Sequence, residues 1–165
     1  MSETWLMERI PGYAALPDPD RDAIRSFAFL WSLFEAKLMG TEASARRIAQ
    51  AVEAWDNAGT LGADLYDGEV AYFRERYFRD GEFTSLFDGL RIRKGDMPDL
   101  IAAGISGDAD APRERVLTVL LVIWRLRNNL FHGEKWAYGL RGQCANFTHA
   151  NAVLMRVLER HADLH

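Results

Sequence analysis

The side chains best suited to chemistry lie together between Arg125 and Gly133, in the sequence Arg-Leu-Arg-Asn-Asn-Leu-Phe-His-Gly. An arginine guanidinium is permanently charged, and its planar fork matches two oxygens of a phosphate group. A histidine exchanges a proton near neutral pH, and an asparagine amide can orient an imidazole or a substrate. Arg127, Asn128 and His132 are therefore the candidate catalytic residues, suited to chemistry at a phosphate group.

The spacing of these residues limits what one helix can do with them. Asn128 precedes His132 by four residues, so both lie on one helical face. Arg127 precedes His132 by five residues, which places it roughly 140° round the helix at about 100° per residue. The two side chains therefore diverge on a regular helix, although Gly133 indicates a helix end that loosens this geometry.

The same residues also allow a structural interpretation. A glycine just after a helix and a histidine in its last turn are typical of an ordinary helix C-terminus. Arg127 can also pair with Glu35, a lone acid in an apolar helix. Such a pair either stabilises the fold or orients Arg127 for catalysis, and the sequence leaves both options open.

The elements around this stretch are predicted to be helical. The run from Val116 to Trp124 is apolar apart from Thr118, and the pattern continues too far for one ordinary strand. Positions Ile24, Phe27, Trp31, Phe34 and Leu38 step by three and four, as one face of a helix does. The apolar residues between them predict that this helix is packed on several sides. The predicted helices are 2–10, 20–39, 41–55, 69–78, 112–132 and 143–165, with short helical turns at 83–90 and 98–103.

The prediction is therefore an all-α bundle of four to six main helices. We place a short N-terminal helix and proline-rich lead-in at 1–19 and the helical domain at 20–165. Pro11-Gly12 should end the first helix, and Pro17 and Pro19 should keep the chain extended up to Asp20. We identify no convincing partner strand for the apolar run.

Composition limits the classes of function. The chain has 165 residues, 48% of them hydrophobic and 27% charged, with a net charge of -4. These values predict one globular domain and argue against a surface that is basic throughout. The segment 112–142 is nevertheless locally basic, with six arginines and lysines against two acids: Arg113, Arg115, Arg125, Arg127, Lys135 and Arg141 against Glu114 and Glu134.

Three features of the sequence predict the cellular compartment of the protein. Cys144 is the only cysteine, which excludes an intrachain disulfide and favours a reducing environment. The N-terminus lacks a signal-peptide pattern, and no apolar run reaches the roughly 18 residues of a membrane span. We expect a soluble, cytoplasmic protein without a membrane partner.

The sequence Arg127-Asn128-Asn129-Leu130-Phe131-His132-Gly133 resembles the R-x4-6-H signature of HEPN domains, in the R-N-x-x-x-H-G form of several subfamilies. Its place near the end of a late helix agrees with that family. The aromatic segment 27–35 also resembles the first helix of such domains. HEPN toxins that are modified by a nucleotidyltransferase antitoxin carry tyrosine two residues after the histidine, where this chain has Glu134.

The resemblance implies a HEPN-like bundle that cleaves RNA without a metal ion or cofactor. Arg127 would hold the scissile phosphate, and His132 would act as general base or acid, giving a 2′,3′-cyclic phosphate and a 5′-hydroxyl. The family usually pairs two motif helices, which implies a homodimer, and a toxin–antitoxin or phage-defence setting with an antitoxin or defence-system partner. We assign RNA binding to Arg125, Asn129 and Lys135, and orientation of Arg127 to Glu35.

Other interpretations compete with this one. The chain can be a non-catalytic HEPN-type module that binds RNA, nucleotides or protein, or a helical bundle that grips a phosphate without cutting. Segment 72–79 interleaves aromatics with arginines, as RNA binders do, but its spacing favours an amphipathic core helix. Cys144 is expected to be a packed or surface thiol, and His161 and His165 are not expected to bind metal.

Overall fold

A computed structural model describes residues 2–131 and 142–164, and in them the chain is an all-α bundle, as predicted. The helices are α1 (Ser2–Arg9), α2 (Pro11–Ala14), α3 (Asp18–Leu38), α4 (Ala45–Asn57), α5 (Asp67–Tyr77), α6 (Ser85–Asp88), α7 (Pro98–Ser106), α8 (Pro112–Phe131) and α9 (Cys144–His161). Two 3₁₀ helices, Ala63–Tyr66 and Lys94–Asp96, connect them. A two-residue hairpin pairs β1 (Phe78–Arg79) with antiparallel β2 (Glu82–Phe83).

Helix α8 is the centre of the bundle. It packs against α4, α5, α7, α9 and the 3₁₀ helix Ala63–Tyr66. The six consecutive residues 118–123 are all buried, so this middle part of the helix is enclosed round its whole circumference. An apolar run without a polar face is suited to such a position because no side of the helix needs to meet water.

Helix α3 lies against α9 and forms the second layer of the core. Phe27, Trp31 and Phe34 are buried, and Phe27 packs on Phe147 of α9 with ring centroids 4.9 Å apart. The predicted apolar face is therefore observed at these positions. The expectation of packing on several sides is wrong for Phe29, which is 74% exposed on the outer side of the helix.

Two proline predictions are corrected by the structure. Pro11 begins α2 instead of only ending α1, and Pro19 lies in the first turn of α3. The first residues of a helix have no intrahelical acceptor for their N–H groups, so a proline there loses nothing and its fixed φ suits the helix. The segment before Asp20 is consequently less extended than expected.

The hairpin between α5 and α6 was missed in the sequence. Its turn is Asp80-Gly81, with φ angles of 53° and 82°. A type I′ turn requires positive φ at both central residues, and Asp-Gly is among its preferred sequences. The flanking strands are only two residues long, which leaves too little alternation to reveal them.

No helix among the described residues is long and apolar enough to cross a membrane.

Gly104 allows α7 to approach α8, and Gly104→Ala is predicted to destabilise the fold. A Cβ at this position would lie 1.8 Å from Oγ1 of Thr118, inside any possible contact distance. We expect the free energy of unfolding to fall by about 1–3 kcal/mol, as in other overpacked cores. Gly68→Ala in α5 is the matched control, because a Cβ there meets nothing within 4 Å. Denaturant unfolding should show no loss for Gly68→Ala, and equal effects would contradict this packing.

His161 is predicted to make stability depend on pH. Its ring stacks on Trp55 at 4.0 Å, and burial, aided by Arg160, lowers its pKa from 6.5 to about 4. Between these pH values the unfolded chain binds a proton that the folded chain does not. Stability therefore falls as pH decreases from about 6.5 to 4 and levels off below.

The variant His161→Phe isolates this effect because it keeps an aromatic ring on Trp55 without a titrating group. We expect its unfolding free energy to fall by about 1–2 kcal/mol less than that of the wild type between pH 6.5 and 4, allowing for solvent screening. Denaturant titrations at several pH values measure the difference. Parallel pH profiles of the two proteins would rule out this role for His161.

Candidate functional site

The candidate site lies at the C-terminal end of the described part of α8 (Pro112–Phe131). Arg125, Arg127, Asn128 and Asn129 all belong to the last two turns of this helix. Two predicted site residues, His132 and Lys135, lie outside the described residues. The described part of the site therefore consists of the arginine and asparagine side chains and their surroundings.

Arg127 is held against three aromatic rings. The guanidinium carbon lies 5.2 Å from the ring centroid of Phe131, 5.6 Å from that of Trp124 and 6.0 Å from that of Trp31. These distances are within the range of cation–π attraction. The side chain keeps 26% of its surface exposed, so the rings restrict its position without enclosing it.

Glu35 of α3 provides the charge opposite Arg127. Its Oε2 lies 3.9 Å from Nη2 of Arg127, so the pairing considered from the sequence is present. Its Oε1 accepts a hydrogen bond from the backbone N–H of Ala43 at 3.0 Å, in the segment before α4. Glu35 therefore has a structural contact as well as the ion pair, and 3.9 Å is too long for a hydrogen bond to Arg127.

Asn128 is buried beside Arg127, and its Oδ1 accepts a hydrogen bond of 3.1 Å from Nη1 of Arg127. The amide and the guanidinium therefore form one unit. The expected alignment of Asn128 with His132 involves a residue outside the described range and stays a prediction.

Arg125 lies on the other side of α8 and is almost completely buried, with 1% of its side chain exposed. Its Nε donates to the carbonyl of Leu90 at 3.0 Å, its Nη2 to the carbonyl of Arg91 at 2.7 Å, and its Nη1 to Asp96 Oδ2 at 2.8 Å. Burial lowers the pKa of Arg125, and the carboxylate of Asp96 acts in the opposite direction. All three nitrogens of this guanidinium are used within the fold, so Arg125 is not placed to contact RNA as the sequence suggested.

Asn129 has a similar internal role. Its Nδ2 donates to the carbonyls of Gly89 and Leu90 at 3.2 and 3.1 Å, and the residue is buried. Arg125 and Asn129 together fasten the segment 89–96 to α8. Asn129 is therefore also left out of the proposed RNA contacts.

Asp96 is a central residue of this site that sequence reasoning missed. Besides Arg125, it accepts hydrogen bonds from Trp124 Nε1 at 3.0 Å and from the backbone N–H of Arg93 at 2.8 Å. The only signal in the sequence that points to Asp96 is that a buried arginine requires a carboxylate partner. Several acids between residues 80 and 110 satisfy that signal equally well.

A second polar cluster, which the sequence did not indicate, joins α5 to α9. Glu69 is buried, forms an ion pair with Arg156 and lies 3.7 Å from Nδ1 of His149. The His149 ring stacks on Tyr72 at 3.9 Å, and the Tyr72 hydroxyl donates to Asn146 Oδ1 at 2.9 Å. These contacts tie the two helices together through polar side chains.

The aromatic and arginine-rich segment 72–79 is mainly part of the core. Phe73 and Tyr77 are buried, and burial raises the pKa of Tyr77 to about 12 against the opposing influence of Arg76. Arg74 donates to the carbonyls of Gly104 and Ala109 and to Asp110, at 2.9, 3.2 and 2.8 Å. The amphipathic core interpretation is thus observed at these positions.

Cys144 begins α9, with its Sγ 3.9 Å from Thr148 Oγ1. Burial and the neighbouring Asp20 raise the pKa of its thiol, which disfavours the nucleophilic thiolate. His161 stacks on Trp55, and its possible metal partner His165 is outside the described residues. Within the described residues there is no group of three histidines, cysteines or acids able to hold a metal.

Comparisons of the chain with protein-family models, curated proteins and solved structures gave no match.

The buried pair of Arg125 and Asp96 gives a stability prediction. Asp96→Ala leaves the Arg125 charge without its carboxylate, so we expect a loss of about 3–5 kcal/mol in the free energy of unfolding. Asp110→Ala is the matched control, because Asp110 pairs with Arg74 at a much more exposed position. It should cost less than about 1 kcal/mol. Denaturant unfolding measures both, and similar losses would contradict the central role of Asp96.

Proposed function

We propose that this chain is a metal-independent endoribonuclease of the HEPN type that cleaves RNA in a cleft between two copies. The observation that carries the proposal is the position of Arg127. Arg127 begins the Arg-Asn-Asn-Leu-Phe-His-Gly sequence, lies in the last two turns of the described part of α8 and keeps a partly exposed side chain, whereas Arg125 two residues earlier is enclosed.

The proposed reaction needs one side chain that binds the scissile phosphate, and it involves two proton transfers. Arg127 binds the scissile phosphate and stabilises the charge that develops on its oxygens. His132 acts as general base on the ribose 2′-hydroxyl or as general acid on the 5′-oxygen. The 2′-oxygen forms a bond to phosphorus as the bond to the 5′-oxygen breaks. The products are a 2′,3′-cyclic phosphate and a 5′-hydroxyl.

The surroundings of Arg127 support a role in phosphate binding. The rings of Trp31, Trp124 and Phe131 limit the positions of its guanidinium, so less conformational freedom is lost when a phosphate binds. Glu35 is too distant to occupy Nη2 with a hydrogen bond. In this proposal Glu35 orients Arg127 through its charge, and Asn128 supports the catalytic site by accepting a hydrogen bond from Arg127. Lys135 contacts the RNA backbone.

A homodimer would answer the divergence that the five-residue spacing of Arg127 and His132 predicts for a regular helix, since two copies can supply complementary groups to one cleft. The proposed setting is a cytoplasmic toxin–antitoxin or phage-defence system, in which an antitoxin or defence protein controls the nuclease.

The alternative is a non-catalytic HEPN-type module that binds RNA, nucleotides or another protein. It is favoured by the contacts that already engage Arg127, since Glu35 offsets its charge and Asn128 accepts one of its hydrogen bonds. In that case the same guanidinium would bind a phosphate without cleavage.

The nuclease proposal predicts cleavage of end-labelled RNA in the presence of a chelator. Arg127→Ala and His132→Ala should each lower the cleavage rate by about a hundredfold or more, because each removes transition-state stabilisation or proton transfer. Mass spectrometry of the products should detect the cyclic phosphate. RNA with 2′-deoxyribose at the cleaved position should stay intact.

Matched variants keep this test specific. Arg113→Ala removes an exposed arginine from the first turn of the same helix, and His149→Ala removes a half-exposed histidine, so both should cleave at the wild-type rate. Retained cleavage in His132→Ala would indicate a contaminating nuclease and sink the proposal. If no variant cleaves RNA but Arg127→Ala weakens RNA binding, the result would support the non-catalytic binding module. Sedimentation of the wild type tests the dimer.

A further inference from the structure

A cavity of about 530 Å³ lies between the N-terminal helices and the main bundle. Its walls come from α1, α2, α3 and α8 and are mainly apolar, with the side chains of Leu6, Tyr13, Leu16, Ile24, Leu130 and Phe131. This volume is in the range of small-molecule sites, which are also concave and mostly apolar. The cavity does not include the Glu35–Arg127 pair.

Two arginines of α3 give this apolar cavity a charged edge. Arg21 has only 9% of its side chain exposed, and its Nε is buried without a hydrogen-bond acceptor. The other guanidinium nitrogens of Arg21 donate to the Leu16 carbonyl and to Asp18. Arg25, one helical turn later, is half exposed and forms ion pairs with Asp22 and Glu3 at 3.0 and 3.1 Å. A buried donor without an acceptor is costly, and an anion at the cavity edge would satisfy it.

Glu3 of α1 already places a carboxylate at this edge. Its Oε1 and Oε2 accept hydrogen bonds of 3.1 and 3.2 Å from the two terminal nitrogens of Arg25. The same Oε1 lies 3.8 Å from Nε of Arg21, which is too far for a hydrogen bond. This edge of the cavity therefore already accommodates one carboxylate, and Glu3 makes hydrogen bonds to only one of the two arginines.

We propose that this cavity binds an amphiphile with one carboxylate and an apolar tail. The tail occupies the space between α1 and α3, and the carboxylate takes the place of Glu3 on Arg25 while also accepting from Nε of Arg21. Helix α1 has no buried residues, and the ion pair between Glu3 and Arg25 is half exposed. Displacing Glu3 therefore requires little rearrangement of the core. This proposal does not depend on the proposed nuclease function.

The test uses the full chain with decanoate, decanol and decyltrimethylammonium as probes, in isothermal titration below their micelle concentrations. Decanoate should bind once per chain and at least tenfold more tightly than the ammonium compound. Arg25→Gln should weaken decanoate without changing decanol. Ala28→Trp, which fills the cavity from α3, should abolish binding of both.

Glu3→Gln is the most specific variant, because it would not change the affinity of a site that binds only apolar tails. Loss of the competing carboxylate should tighten decanoate binding about two- to fivefold, the scale of one exposed ion pair. Glu8→Gln, an exposed carboxylate of the same helix, should leave the affinity unchanged. The proposal is overturned by absence of decanoate binding to both the wild type and Glu3→Gln, by equal affinities for all head groups, or by unaltered binding in Ala28→Trp.

Discussion

The buried guanidinium of Arg125 fixes much of the structure around α8. A charge in the interior is tolerated only when its donors are satisfied, and here a carboxylate and two backbone carbonyls meet them. Asp96 must therefore fold back onto α8 together with the irregular segment that precedes α7. Asn129, one turn later, fastens the start of the same segment. Residues two apart on a helix point roughly 200° away from each other, so a fixed Arg125 directs Arg127 towards α3.

The main helices were predictable because their apolar spacing reflects burial. The long runs of α3 and α8 give clear periodicity, and both helices occur where the spacing places them. The ends were less predictable: α4 begins at Ala45, after the cap of Ser44, and not at Thr41. Thr41 instead has a φ of 67°, which a helix excludes. Short elements such as the hairpin at Asp80-Gly81 depend on turn geometry, which the hydrophobic pattern does not record.

The candidate site was predictable only in part, because residue type alone does not determine which side chains of α8 are buried. Arg125 and Arg127 look equivalent in the sequence, yet one is a core residue and the other is partly exposed. The pair of Arg127 and Glu35 was foreseen, since an acid in an apolar helix needs a partner. The Glu69–Arg156 pair was not, because Glu69 resembles any acid in the first turn of a helix.

Phe131 places the two proposals in physical contact. Its ring is 5.2 Å from the guanidinium carbon of Arg127 and also lines the cavity beside α1. An amphiphile in that cavity touches the ring that limits the position of Arg127. If both proposals hold, any change that such a ligand makes in phosphate affinity must be matched by an equal effect of the phosphate on ligand affinity. Phe131 remains 54% exposed, so it can shift without opening the core, and it is the side chain through which the two proposed sites would be coupled.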